Sequence, residues 1–311
     1  MPIARTLALA AVTATLFAGT ASADMKFATG RQGGSQYPVS VALSQIMEKV
    51  PGVGTVTLTP GGGAANIVAV DQGLAQLGIT LSVSARDGME GKPPYKSKAT
   101  NLVQLFALHG FKLLILVRDD SPIKSFKDLA GKKVNSGPKG FTITEVANKV
   151  FAEEHMKVDM QYLRVTAAVQ QFKDGHLDAL FYSPSDRFAP YIDLALARKI
   201  RAIPLPDETM ERLLKEDPTF YKTEFPVAAD IYKGLVNKVK TLGYPNIIVA
   251  NKNTVSDAQA YGMAKAVAEN MDKVAAVEPS LKTFNVKEMA LSVGVPIHPG
   301  SLKYFTERGW H

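Results

Sequence analysis

The sequence predicts an α/β protein of two lobes with a cleft between them. Strand-like runs alternate with helical stripes in two successive blocks, the pattern of parallel strands joined by crossover helices. Each block carries glycine-rich turns that lead into a helix. A late strand and a helical tail follow the second block. The chain of 311 residues is long enough for two medium units, at about 100–200 residues each. Lobe 1 is expected over residues 24–112 plus 249–311, and lobe 2 over 113–248.

The opening residues read as an export segment. Arg5 supplies a positive start, residues 7–18 are rich in Ala and Leu, and Ala21-Ser22-Ala23 is a small-residue cleavage site. The apolar run is shorter than the roughly 20 residues that span a bilayer. The expectation is removal after Ala23, with retention as an anchor the alternative.

In the first block, residues 25–29 suit a strand, and the turn from Gly30 to Gly34 follows. Val39, Leu43, Ile46, Met47 and Val50 then recur at helical spacing, until Pro51-Gly52 stops the stripe. Residues 55–59 alternate as a half-buried strand, 64–72 form a short helix behind Gly61-Gly62-Gly63, and 76–80 form a third strand. In the second block, residues 113–117 are continuously apolar, as in a strand buried on both faces. A short helix, a Gly131 stop and a strand at Val134 come next, and then Ile143, Val146, Ala147, Val150 and Phe151 form a helical stripe. Residues 161–165, 178–182 and 199–205 read as strands, 206–226 as a connection, 244–250 as a returning strand and 260–271 as a late helix.

Composition excludes several chemistries. The chain has no Cys, which removes disulfides, thiolate nucleophiles and thiolate metal sites. Its net charge of +7 is spread among acids, as in Lys124, Lys127, Asp128, Lys132 and Lys133. That pattern fits a solvated surface with a weak bias toward anionic solutes, not nucleic acid. There is no G-x-x-x-x-G-K-[ST] run, no G-x-S-x-G elbow and no H-E-x-x-H. The five His are dispersed, and Asp71, Asp87, Asp178 and Asp186 form no evident dyad. The expectation is therefore no enzyme, no metal and no cofactor.

The turns themselves carry the positive signal. Gly33-Gly34-Ser35-Gln36-Tyr37, Gly61-Gly62-Gly63-Ala64-Ala65-Asn66 and Gly137-Pro138-Lys139-Gly140-Phe141-Thr142 each open a helix after a strand. A helix start has unpaired N–H groups and a partial positive charge, and glycine lets a ligand approach the backbone. In open α/β sheets ligands lie beyond the carboxyl ends of the strands, where these turns fall. Tyr37 and Tyr182 place hydroxyls near such ends, whereas Phe141 and Phe181 read as packing groups. Arg31 and Lys139 are the nearest cations, placed either to meet a second carboxylate or to sit in solvent.

The order of these features resembles the TAXI family of TRAP-transporter solute receptors. The resemblance rests on Thr29-Gly30-Arg31-Gln32-Gly33-Gly34-Ser35-Gln36-Tyr37-Pro38, on Ala64-Ala65-Asn66-Ile67, on Ser125-Phe126-Lys127-Asp128-Leu129-Ala130-Gly131-Lys132 and on Asp178-Ala179-Leu180-Phe181. It implies a hinge-linked type II periplasmic binding protein that closes on glutamate, glutamine or a C4–C5 dicarboxylate or oxo-acid. Such a protein delivers its solute to the membrane permease of an ion-gradient-driven TRAP transporter. The positions implied as contacts are Gly34, Ser35, Tyr37, Gly62, Ala65, Asn66, Thr80 and Ser82 in lobe 1. In lobe 2 they are Ser136, Gly140, Phe141, Thr142 and Tyr182. Arg31-Gln32, Leu81-Ser82-Val83 and Pro138-Lys139 depart from the family pattern and bear on solute identity more than on fold. The rival readings on the same scaffold are a periplasmic sensor or adaptor and a secreted enzyme.

Overall fold

The computed structural model describes residues 23–30, 32, 36–139, 141–185, 187–226 and 230–311. The expected export segment lies outside them except for Ala23, which opens the first strand. Two mixed sheets organise the chain, each with helices on both faces.

The first sheet contains β1 (Ala23–Thr29), β2 (Val53–Pro60) and β3 (Leu77–Leu81), mutually parallel with β1 in the centre. The helices α1 (Gln36–Met47), α2 (Ala64–Asp71) and α3 (Ser82–Glu90) follow these strands in turn. Then comes β4 (Leu102–Lys112), an eleven-residue strand that the sequence reading missed. The second sheet holds β5 (Leu114–Arg118), β6 (Lys133–Asn135), β7 (Asp159–Gln161), β8 (Ala179–Tyr182) and β9 (Ile200–Ile203) in the order β7-β6-β8-β5-β9. Its helices are α4 (Thr142–Glu153), α5 (Val165–Lys173), α6 (Ala189–Ala197) and α7 (Asp207–Glu216). The chain then forms β10 (Tyr221–Phe225) and β11 (Val239–Asn251), and ends in α8 (Asp257–Glu269), α9 (Met271–Val277) and α10 (Pro299–Glu307).

Several expectations change. The sheets are mixed rather than parallel, because β11 runs antiparallel to β3, β4 and β10, and β5 runs antiparallel to β8 and β9. The strand expected at 161–165 lies earlier, at Asp159–Gln161, and Val165 already begins α5. Residues 206–226 are not a plain connection. Asp207 and Glu208 favour a helix start through the macrodipole, while Met210 and Leu213 give α7 a buried stripe. β10 then alternates Lys222 and Glu224 outward along the edge of β11.

Four apolar clusters fill the layers. One lies between the first sheet and α1, α8, α9 and α10, around Phe27, Leu43, Met263 and Phe305. Another packs α2 and α3 against the opposite face through Ile67, Ala85 and Ile247. In the second sheet, α4 and α7 cover one face with Val146, Phe151 and Leu213, and α5 and α6 cover the other with Phe172 and Leu194. β11 joins the units: Val239 is in the core beside α5 and α6, and Ala250 in the core beside α1.

Candidate functional site

Strand direction decides where the two sheets present their turns. β1, β2 and β3 are parallel and end at Thr29, Pro60 and Leu81. β4 is antiparallel to β11, as β3 is, so β4 runs in the same sense and ends on the same edge at Lys112. One residue later β5 begins in the second sheet. Its first residue, Leu114, pairs with the last residue of β8, Tyr182, and β6 is parallel to β8. The carboxyl ends of β6 and β8 thus share the edge at which the chain arrives from the first sheet. The crossing is fastened by Leu113 N–H to Leu242 C=O (2.8 Å), Thr241 Oγ1 to Leu113 C=O (2.5 Å) and Lys112 N–H to Pro184 C=O (3.1 Å).

On the first edge, Asn66 holds the three strand ends together. Its Nδ2 donates to the carbonyls of Thr29 (3.1 Å) and Ile79 (2.8 Å), and its Oδ1 accepts from the Gly62 amide (2.8 Å). Gly61 must be glycine for this, because a Cβ there would lie 2.6 Å from Asn66 Oδ1. The side chain of Asn66 is consequently committed to the protein. Beside it, Gln36 at the start of α1 donates to Asn246 Oδ1 (2.7 Å), and Asn246 pairs with Leu81 across the sheet. Thr80 is buried, and its hydroxyl has no partner among the described residues. An unpaired buried hydroxyl costs about 1–3 kcal/mol, so it marks a place where an outside group can be accepted.

The second edge has a different fastening. Thr144, in the first turn of α4, sets its hydroxyl 2.9 Å from the carbonyls of Ser136 and Pro138 and 3.3 Å from that of Gly137. One proton serves three acceptors in alternation. Gly137 has φ +90° and lies against the Tyr182 ring, 3.3 Å from where a Cβ would stand. The Ser136 hydroxyl is buried and has no partner among the described residues, as is true of Thr80. The amides of Thr142 and Ile143 lie in the first turn of α4, ahead of its i to i−4 bonds. Burial raises the Tyr182 hydroxyl above its ordinary pKa, so it stays protonated and able to donate at neutral pH.

The sequence-derived positions sort as follows. Tyr37, Gly62, Ala65, Thr80, Ser136, Phe141, Thr142 and Tyr182 lie at the strand ends, turns and helix starts of the two sheets. Arg31, Gly34, Ser35 and Gly140 lie outside the described residues. Ser82 turns away: it is buried and donates to the Thr219 carbonyl (3.3 Å), fastening α3 to the turn before β10. Lys139 stands over the Tyr162 ring, 4.8 Å from its centroid, in a cation–π contact. Sequence reasoning missed Gln36, Asn246, Thr144 and Lys112. Lys112 is the only Lys, Arg, Asp or Glu among the described residues that is buried. A polar residue inside an apolar strand run was the available signal for both Asn246 and Lys112.

Comparison with known proteins follows this geometry. The model of the NMT1-like family matches residues 27–309. A TctC solute binding protein from Polaromonas has a similar structure, with a TM-score of 0.58 at 15% identity, covering 92% of this chain and 98% of that one. The periplasmic aliphatic sulphonate binding protein SsuA from Escherichia coli gives a TM-score of 0.50 at 18% identity, covering 91% of this chain and 78% of that one. At these identities the two structures establish the two-lobed fold.

Proposed function

We propose, from the premise that this chain belongs to the NMT1-like family, that it captures a small carboxylate between its lobes and hands it to a membrane permease. Members of the family are periplasmic solute-binding proteins and not enzymes. The single observation that carries the reading is the pair of buried, unpartnered hydroxyls, Thr80 and Ser136, one on each facing edge. A carboxylate would accept from both, together with the amides at the start of α4 and the Tyr182 hydroxyl. Arg31, Gly34, Ser35 and Gly140 complete the proposed site by their place in the turns. Lobe 1 is proposed as residues 24–112 plus 249–311 and lobe 2 as 113–248, with β10 and β11 reaching out of that second range to pair into the first sheet and the crossing at Leu113 serving as a hinge. Closure of the lobes would bury the solute and form the face that the permease reads.

The TAXI-like opening from Thr29 to Pro38 supports a TRAP-type, ion-gradient-driven permease and solutes such as glutamate, glutamine or a C4–C5 dicarboxylate. The export pattern of the first residues supports a periplasmic location. Among the described residues, no helix is long and apolar enough to cross a membrane. Calorimetric titration with amino acids and dicarboxylic acids tests the proposal, paired with small-angle scattering. Saturable binding of one acid per chain with a smaller radius of gyration is expected. A flat titration across the whole panel overturns it.

A further inference from the structure

The two facing edges differ in chemistry. The lobe 1 edge is mostly polar and small, with Gly61, Gly62, Thr80, Gln36 and Asn246, and Tyr37 is its one aromatic position among the described residues. The lobe 2 edge is aromatic. Tyr182 ends β8, with Phe188 stacked on it at a centroid distance of 5.7 Å and an interplanar angle of 25°. Gly137 packs its backbone against the Tyr182 ring, which is half-buried. Phe141 caps α4 on the same edge and is 46% exposed, the only exposed phenylalanine among the described residues. The Tyr182 hydroxyl has no hydrogen-bond partner among the described residues. A ring held in water at the mouth of a cleft loses the stabilisation that burial would give it, and glycines and amides across the cleft are poor partners for it.

We infer that the solute carries a flat apolar or aromatic body beside its carboxylate, and that Phe141, Tyr182 and Phe188 form the wall on which this body lies. The inference rests on the carboxylate reading above and departs from the short C4–C5 solutes that the TAXI-like opening supports. An aryl carboxylate satisfies both edges at once, with its charge on the amides and hydroxyls and its ring on the aromatic wall. A short straight-chain diacid satisfies only the first.

The test is calorimetric titration of the purified protein with three probes: phenylacetate, glutarate and the neutral phenylacetamide. Phenylacetate is expected to bind roughly tenfold tighter than glutarate, the scale of a ring buried on an aromatic wall. Phe141→Ala is expected to bring that ratio toward one, with Phe141→Leu intermediate. Glutarate binding as tightly as phenylacetate, or a ratio that Phe141→Ala leaves unchanged, overturns the inference while the carboxylate reading stands. Phenylacetamide binding as tightly as phenylacetate keeps the aromatic wall and overturns the carboxylate reading. No binding by any probe overturns both.

Discussion

The turns of lobe 1 and of lobe 2 do the same job with unequal fastenings. In lobe 1 the Asn66 amide uses both its ends and reaches three strand-end segments. In lobe 2 a single hydroxyl, that of Thr144, serves the carbonyls of one loop. An amide with fixed donors and acceptor specifies one arrangement, whereas one proton shared among three carbonyls tolerates small shifts. The difference teaches that lobe 1 offers a preset floor and that lobe 2 is the side able to adjust when a solute arrives.

The comparison is broken most directly by removing each fastening. Asn66→Ala leaves buried carbonyls and an amide unmet and should lower unfolding free energy by about 3–5 kcal/mol, read from urea melts. Thr144→Val should cost only about 1–2 kcal/mol, because a single shared proton is lost from one loop. Equal losses from the two variants would remove the asymmetry. The orphaned hydroxyls sharpen it next. Ser136→Ala and Thr80→Val should leave stability unchanged or raise it by about 1 kcal/mol, since an unpaired buried group is lost. Each should weaken solute binding by roughly tenfold if the hydroxyl meets the solute. Unchanged affinity in both would separate these hydroxyls from binding.

The smallest expected effect concerns the seam between α3 and the turn before β10. There Arg86 lies 2.8 Å from Glu90 and 3.9 Å from Asp217, and burial holds the nearby Asp87 carboxyl above its ordinary value. The folded protein therefore binds that proton more tightly than the unfolded chain does. The stability it contributes is full below the ordinary value of 3.8 and is lost as pH rises through the raised one. Asp87→Asn should thus stabilise the protein at pH 7 by about 0.5 kcal/mol and give no gain at pH 3, as followed by thermal melts.

Much of this arrangement could be read from the chain. The α4 stripe from Ile143 to Phe151, the run ending in Tyr182 and the turn at Gly61 are local patterns, so spacing alone located them. β4 escaped because Gln104 and Lys112 interrupt its pattern, and their burial depends on partners distant in sequence. α7 escaped because its charges and the flanking Pro204, Pro206 and Pro218 imitate a loop, while Met210 and Leu213 gain their meaning from α4. The Asn66 fastening was invisible for the same reason: it reaches carbonyls 37 and 13 residues away, and a contact residue and a brace look alike in one dimension.

The long closing strand also dictates an order of assembly. Residues 114–203 supply all five strands of the second sheet, so that unit is complete early in the chain. The first sheet needs β11, and its inner face needs α8 and α10, which arrive only with the last sixty or so residues. Such distant pairing is slow to form. The half that begins the chain is the half that finishes folding last, which keeps its early strands open until the final residues are made.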